Sequence, residues 1–372
     1  MDMRLAEDQE LLQRSVGEFA EREVGPHVME WDEAQKFPAD LISRLAPLGL
    51  MGIQFPEEYG GAGMSAVAYC IYIEELARVD PSVRLSVAVH NGLGAAHIAA
   101  FVSEEQKRRH LTALARGEKL AAWGLTETSS GSDAAAMRTT AARQGDCWVI
   151  NGAKQFITHG RTGDLVVVIA MTSGDEGSRG ILAFVVEHGT TGFRAGRKEK
   201  KLGMRASETS EVMFENCRMP GSQMLGAEGE GFINTLQVLD AGRIGIAALA
   251  VGLAQGAYEA ARDYAFERRQ FGQSIGTFQS IRAKLVDDAG RIEAARLRAR
   301  GEPTTQESAM AKLYASEIAV RPSEDGVQIF GGYGFVKDYP AEEVFRDGRL
   351  TTIGEGTSEI QRLVIARQLL AS

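Results

Sequence analysis

Cysteine is scarce in this chain: Cys70, Cys147 and Cys217 stand far apart among 372 residues. They make no C-x-x-C pair, no zinc spacing and no even-numbered disulfide set, so a stapled or cysteine-ligated fold is excluded. The histidines, His27, His90, His97, His110, His159 and His188, form no spaced ligand set either, and no metal is expected. Positive charge is in deficit, 41 basic against 50 acidic residues for a net charge of −9, and the basic residues are scattered. That argues against a nucleic-acid footprint. No apolar run free of charge or glycine reaches the length of a membrane span, and Met1-Asp2-Met3-Arg4-Leu5 opens an acidic amphipathic stretch rather than a signal peptide. The expectation is a soluble, cytoplasmic protein with neither nucleic acid nor membrane as partner. No G-x-G-x-x-G follows a strand, which removes support for a Rossmann dinucleotide site.

What is present is an ordinary globular composition, 44% hydrophobic, over a length that exceeds one compact core. From Glu7 to about Gly117 apolar residues recur at three and four, as in Leu11, Leu12, Val16, Phe19 and Ala20, the mark of amphipathic helices. From about Ala121 the period shortens. Cys147-Trp148-Val149-Ile150, Leu165 to Ile169, Ile181 to Val186 and Glu211 to Phe214 read as strands, and Asn151-Gly152 is a hairpin turn signal. After Gly231 helical periodicity returns, rich in Ala and Gly at apolar positions, which suits close helix packing. The expected class is α+β: an α-helical domain over 1–119, a central antiparallel β-barrel-like domain over 120–226, and a helical bundle over 227–372.

Two segments carry candidate chemistry. Ile353-Gly354-Glu355-Gly356-Thr357-Ser358-Glu359 sets a carboxylate between glycines, which lets backbone approach a ligand closely. An ordinary loop entering a helix capped by Thr357 or Ser358 reads the same way. Thr126-Glu127-Thr128-Ser129-Ser130-Gly131-Ser132-Asp133 is dense in hydroxyls and amides that could line a polar cofactor, or make a plain turn.

Those two segments, with Lys154-Gln155-Phe156-Ile157-Thr158, Arg268-Arg269-Gln270-Phe271-Gly272 and Gln328-Ile329-Phe330-Gly331-Gly332-Tyr333-Gly334, occur in an order and spacing that resembles the acyl-CoA dehydrogenase family over essentially the whole chain. The resemblance implies a C-terminal four-helix bundle, FAD as cofactor, an acyl-CoA substrate, an electron-transfer flavoprotein as partner and a homotetramer built as a dimer of dimers. It implies that Glu355 is the catalytic base, and that Ser132, Asp240, Arg243 and Gly356 contact substrate. Trp123, Leu125, Thr126, Gly131, Ser132, Phe156, Ile157 and Thr158 would line the flavin, joined by Thr357 and Glu359. Arg268, Phe271, Gln279, Gln328, Gly331 and Gly332 would reach FAD from a neighbouring subunit. Taken singly, Arg268 is also an ordinary solvated helix charge. Some relatives carry the base on an earlier helix, where Gly242 stands here. The implied roles are fatty acid metabolism or amino acid catabolism. An acyl-CoA oxidase of the same fold, which oxygen would reoxidise, and a flavin-binding scaffold are the alternatives.

Several positions depart from the family pattern. Thr128 replaces a proline, implying a less rigid loop, and Phe156 replaces a tryptophan, keeping an aromatic face without the indole N–H. Gly354 replaces a bulky tyrosine, implying a wider pocket and room for branched acyl groups. The chain is about eight residues shorter between Arg296 and Glu302, implying a truncated helix hairpin. Pro322 and Gly326 are expected to interrupt a helix. Finally, Arg84 aligns with an arginine that glutaryl-CoA dehydrogenases use for a distal carboxylate. A salt-bridged or surface arginine is the plainer expectation.

Overall fold

A computed structural model describes residues 5–172, 174–299 and 305–370. The N-terminal third holds helices α1 (Glu7–Glu23), α2 (Val28–Ala34), α3 (Asp40–Leu45), α4 (Ala66–Val79), α5 (Pro81–Val89), α6 (Ala96–Phe101), α7 (Glu104–Gln106) and α8 (Thr112–Ala115). Side-chain caps fix the two that bear on the site. Ser65 Oγ accepts the Ala68 amide at the start of α4, and Asp80 accepts the Ser82 and Val83 amides at the start of α5, with Pro81 in the first turn. After α5 the chain continues through a π turn, His90–Ala95, into α6.

Eight strands follow: β1 (Ala121–Gly124), β2 (Thr140–Gln144), β3 (Cys147–Thr158), β4 (Leu165–Met171), β5 (Ile181–Glu187), β6 (Phe193–Lys198), β7 (Thr209–Pro220) and β8 (Met224–Leu225). They form one sheet in the order β6-β7-β3-β2-β4-β5-β8, with β1 paired to β4. The expected antiparallel barrel is corrected here. β1 lies parallel to β4, Ala121 opposite Leu165, β2 meets β4 in parallel at Thr140 and Met171, and the described strands do not close into a barrel. The reason is nonlocal: β1 arrives from the helical domain and pairs past the β2–β3 hairpin, so its direction is set by the crossover rather than by a turn.

The pleat of β4 shows why its sequence is an unbroken apolar run. Val166, Val168 and Ala170 face the sheet's own core with Trp148, Phe184 and Phe214, while Leu165, Val167 and Ile169 join the helical core. Both faces are covered, so alternation disappears.

The C-terminal third comprises α9 (Gly231–Glu267), α10 (Gln279–Ala299), α11 (Thr305–Phe330), α12 (Ala341–Thr351) and α13 (Ser358–Leu370). α9 is the central element, packed along α11 and α4. A Cβ on Gly252 or Gly256 would run into the Glu74 or Arg78 carbonyl of α4, so glycine sets that helix spacing. α9 is also long and apolar enough to cross a membrane by composition, yet 67% of its most apolar window is buried inside the protein. It reads as a core helix. The expected break at Pro322 is not there: α11 runs through it to Phe330, with Pro322 buried. Its neighbours brace the turn, Ser323 Oγ donating to Val320 O at 2.7 Å and Arg321 Nε to Asp325 at 3.0 Å. The shortened hairpin falls largely on 300–304, outside the described residues.

Candidate active site

The three parts meet at a cavity of about 960 Å³. Its lining includes Trp123, Leu125, Thr126, Gly131, Ser132, Phe156, Ile157 and Thr158 from the sheet, Arg243 from α9, and Glu355, Gly356 and Thr357 from the loop before α13. An apolar wall unmarked in the sequence completes it: Leu85 and Val89 on α5, Leu93 in the π turn, and Ile246 and Leu249 on α9. The four-residue step from Leu85 to Val89 and on to Leu93 is the signal that could have pointed there.

Phe156 owes its place to a fault in the sheet. The β3–β7 register slips between Lys154 and Ile157, and Phe156 adopts φ 61°. This bulge turns an aromatic side chain out of the core, leaving it 62% exposed at the cavity. The neighbouring 126–133 loop is tied down despite Thr128. Glu127 and Ser130 exchange backbone hydrogen bonds, and the Glu127 carboxylate accepts from Lys154 Nζ at 2.6 Å, Arg138 N at 2.6 Å and Thr139 N at 2.9 Å. Burial pushes this carboxyl up, but Lys154 and the amides outweigh it and hold it below the usual range.

Glu355 is different. It sits at φ 51°, followed by Gly356 at φ 94°. One side borders the cavity, which leaves the residue half-buried. Its Oε2 is sealed beneath and has no hydrogen-bond partner among the described residues. Burial pushes the carboxyl up to about 7, opposed by Arg84, Lys312 and Arg243 at a distance. A Cβ built on Gly242 would overlap Glu355 Oε2. The earlier-helix position and Glu355 therefore converge on one point in space, and only one of them can carry a side chain there.

Arg84 overturns the plainer expectation. It is fully buried and makes no ion pair among the described residues. Nη2 donates to Gly245 O, while Nε and Nη1 have no partner among the described residues. Burial lowers its pKa to about 10. It does not line the cavity.

Other named residues lie elsewhere. Asp240 bonds Arg243 Nη1 and accepts from Thr305 Oγ1 at 2.7 Å, away from the cavity lining. Glu359 is also outside that lining, as are Arg268, Phe271, Gln279, Gln328, Gly331 and Gly332. Arg268 lies over the Tyr333 ring at 5.4 Å, and Phe271 is 94% exposed. Sequence reading also missed a buried carboxylate trio, Asp32, Glu343 and Asp347. Arg205 and Arg346 pair with Asp32, and the Met204 amide donates to Asp347, so protein groups already supply positive partners.

A helical domain, a mixed sheet and a helical bundle thus enclose a cavity bordered by a half-buried carboxylate with one oxygen unpartnered among the described residues. The chain belongs to the acyl-CoA dehydrogenase family: the N-terminal, middle and C-terminal domain patterns of that family match residues 6–118, 122–217 and 229–370. It is 45% identical to the short-chain specific acyl-CoA dehydrogenase of Clostridium acetobutylicum over 99% of this chain and 100% of that one. Butyryl-CoA dehydrogenase of Megasphaera elsdenii superposes with a TM-score of 0.97 at 40% identity, over 100% of both chains. A chain from a structure described as the electron transferring flavoprotein of Acidaminococcus fermentans superposes at 0.98 with 44% identity, again over 100% of both.

Members of this family are FAD-dependent oxidoreductases. The cavity fits such a group. Phe156 offers an exposed aromatic face beside the threonines Thr126 and Thr158, and a flat ring system with polar edges needs both.

Proposed function

We propose that Glu355 is the base that removes the α-proton of an acyl-CoA thioester, yielding a trans-2-enoyl-CoA. FAD, when bound, supplies the hydride acceptor for the β-carbon. The observation that carries this reading is the Glu355 carboxyl itself: it borders the cavity, its Oε2 is unpartnered, and burial brings it to about 7. A carboxylate poised near neutrality takes a proton far better than one at the ordinary ~4.3. Trp123, Leu125, Thr126, Gly131, Phe156, Ile157, Thr158 and Thr357 would hold the flavin. Ser132, Arg243 and Gly356 would meet the thioester and its CoA portion, with Asp240 steadying Arg243. Exclusion of water by Leu85, Val89, Leu93 and Ile246 would strengthen every charge interaction at the reacting carbons.

The substrate reading is a short-chain acyl-CoA, supported by the short-chain and butyryl-CoA relatives. A dicarboxylic substrate is favoured by one observation, the two free donors of Arg84. Because Arg84 does not border the cavity, a carboxylate there would need the guanidinium to move, and the short-chain reading is preferred. The electron acceptor would be an electron-transfer flavoprotein, the assembly a homotetramer whose neighbouring subunits bring Arg268, Phe271, Gln279, Gln328, Gly331 and Gly332 to the cofactor, and the location cytoplasmic. The exposed Phe271 and the surface-lying Arg268 support subunit contact.

The deciding experiment is anaerobic titration of the purified protein with butyryl-CoA and glutaryl-CoA, following flavin bleaching. Rapid bleaching by butyryl-CoA and little by glutaryl-CoA is expected. The reverse order would move the assignment to a dicarboxylic substrate, with Arg84→Met as its check. A colourless protein that ignores added FAD would end the reading.

A further inference from the structure

We infer that Lys312 and Gln361 are positioning residues for Glu355, clamping the carbonyls of the Glu355-Gly356 turn so that the carboxylate is held against α9. The inference rests on Glu355 being the base. Two helices reach the turn from different sides. Lys312, on α11, donates from Nζ to Gly356 O at 2.9 Å. Gln361, on α13, donates from Nε2 to Glu355 O at 3.2 Å and to Gly356 O at 3.1 Å. Both side chains are fully buried.

The turn needs such support. A glutamate at φ 51° occupies the left-handed region that a Cβ disfavours, and it persists only where its surroundings over-determine it. Ordinary loop contacts do not account for a fully buried lysine. Lys312 makes no ion pair at contact distance among the described residues, so its ammonium is desolvated to reach one backbone carbonyl. A methylene chain ending in an amide would satisfy that carbonyl at lower cost. A charge there does something an amide cannot.

The charge, held at the Gly356 carbonyl, is within electrostatic reach of the base. The groups around Glu355 are Arg84 on α5, Tyr69 on α4, Arg243 on α9 and Lys312 on α11. Lys312 in turn feels the charges of Glu355, Arg243 and Glu359. Its positive charge favours the ionised form of Glu355, opposing the burial that favours the neutral one. The clamp thus has two separable parts: Gln361 fixes direction, and Lys312 fixes direction and charge.

Two variants separate them, measured by rapid anaerobic flavin reduction across pH with the FAD-loaded protein. Lys312→Met is expected to slow the limiting rate roughly tenfold or more and to move the acid limb of its pH profile upward by about half a unit or more. Gln361→Met is expected to slow it roughly tenfold while leaving the limb in place. In both, the visible flavin spectrum and the half-saturating acyl-CoA concentration should stay near those of the parent. Rates within twofold of the parent in both variants would overturn the clamp, as would a Lys312→Met rate loss with an unmoved acid limb. Should Lys312→Met not fold, Gln361→Met alone decides the positioning role: a slow rate with a normal spectrum supports it and a parental rate sinks it. Glu355→Gln run alongside keeps the two readings apart. A fast Glu355→Gln ends the base assignment, whereas a dead Glu355→Gln beside unaffected clamp variants ends only the clamp.

Discussion

Two glutamates, one bordering the cavity and one in a loop that lines it, have the same chemistry and nearly opposite surroundings. Glu127, in the 126–133 loop, is 7% exposed and takes three donors, one of them the fully buried Lys154. Glu355, at the cavity border, keeps an Oε2 that no donor reaches among the described residues. Burial pushes both carboxyls up. Only Glu127 has hydrogen bonds to reverse it, and its carboxyl falls below the usual range while that of Glu355 rises to about 7. Burial sets the stakes, and the donor count decides whether a carboxylate holds a loop or takes a proton.

The sharpest way to break this comparison is Glu355→Gln, which preserves shape and removes proton acceptance. Flavin reduction should slow by ~10² to 10⁴, about 3 to 5.5 kcal/mol, with FAD still bound. Lys154→Met tests the other side by stranding the Glu127 charge. Losing one partner of a buried pair costs about 3–5 kcal/mol, read as a lower urea midpoint. The 126–133 loop loses its anchor, so flavin content should fall as well. The Glu127→Gln, Lys154→Met double variant should recover part of the stability, because no charge is left unpaired. If Lys154→Met were as stable as the parent, the pair would not be structural.

Smaller in size is the pH response. A base must be ionised, so flavin reduction should fall about tenfold per unit as pH drops below about 7, the value that burial gives Glu355. Glu127, held low, adds no transition in that range. An acid limb near the ordinary carboxylate value, ~4.3, would show that substrate or flavin supplies Glu355 with the donors it lacks here.

The sequence was legible where local chemistry and local geometry coincide. Glu355 between two glycines announces a loop that can present a side chain, and the hydroxyl-rich run ahead of Asp133 announces a lining. Phe156 shows the limit. Its exposure comes from a register slip against β7, some fifty residues away, and nothing in Lys154-Gln155-Phe156 records the partner's count. The parallel β1–β4 pairing is hidden for the same reason. Arg84 departs from expectation because a charged residue on a short helix is usually solvated, whereas α5 is buried on every side in this fold. Pro322 departs from its helix propensity because packing holds α11 together across it.

The last and smallest effect concerns Gly354, next to Glu355. The nearest atoms to a Cβ built there belong to Leu350, at 3.6 to 3.8 Å, which is ordinary contact. Its φ is not in the left-handed range, unlike those of Glu355 and Gly356. A larger side chain is therefore tolerated by the backbone, and because Gly354 lines the cavity it would take space beside the reacting carbons. Gly354→Tyr should lower kcat/KM for an α-branched acyl-CoA such as isobutyryl-CoA about tenfold more than for butyryl-CoA, or about 1.4 kcal/mol of discrimination. Gly354→Ala should change the ratio by less than about threefold, since a methyl group there makes no contact closer than ordinary van der Waals distance. Equal losses for both substrates in Gly354→Tyr would mean that other side chains already fill the space, and that the missing tyrosine does not set the width of the pocket.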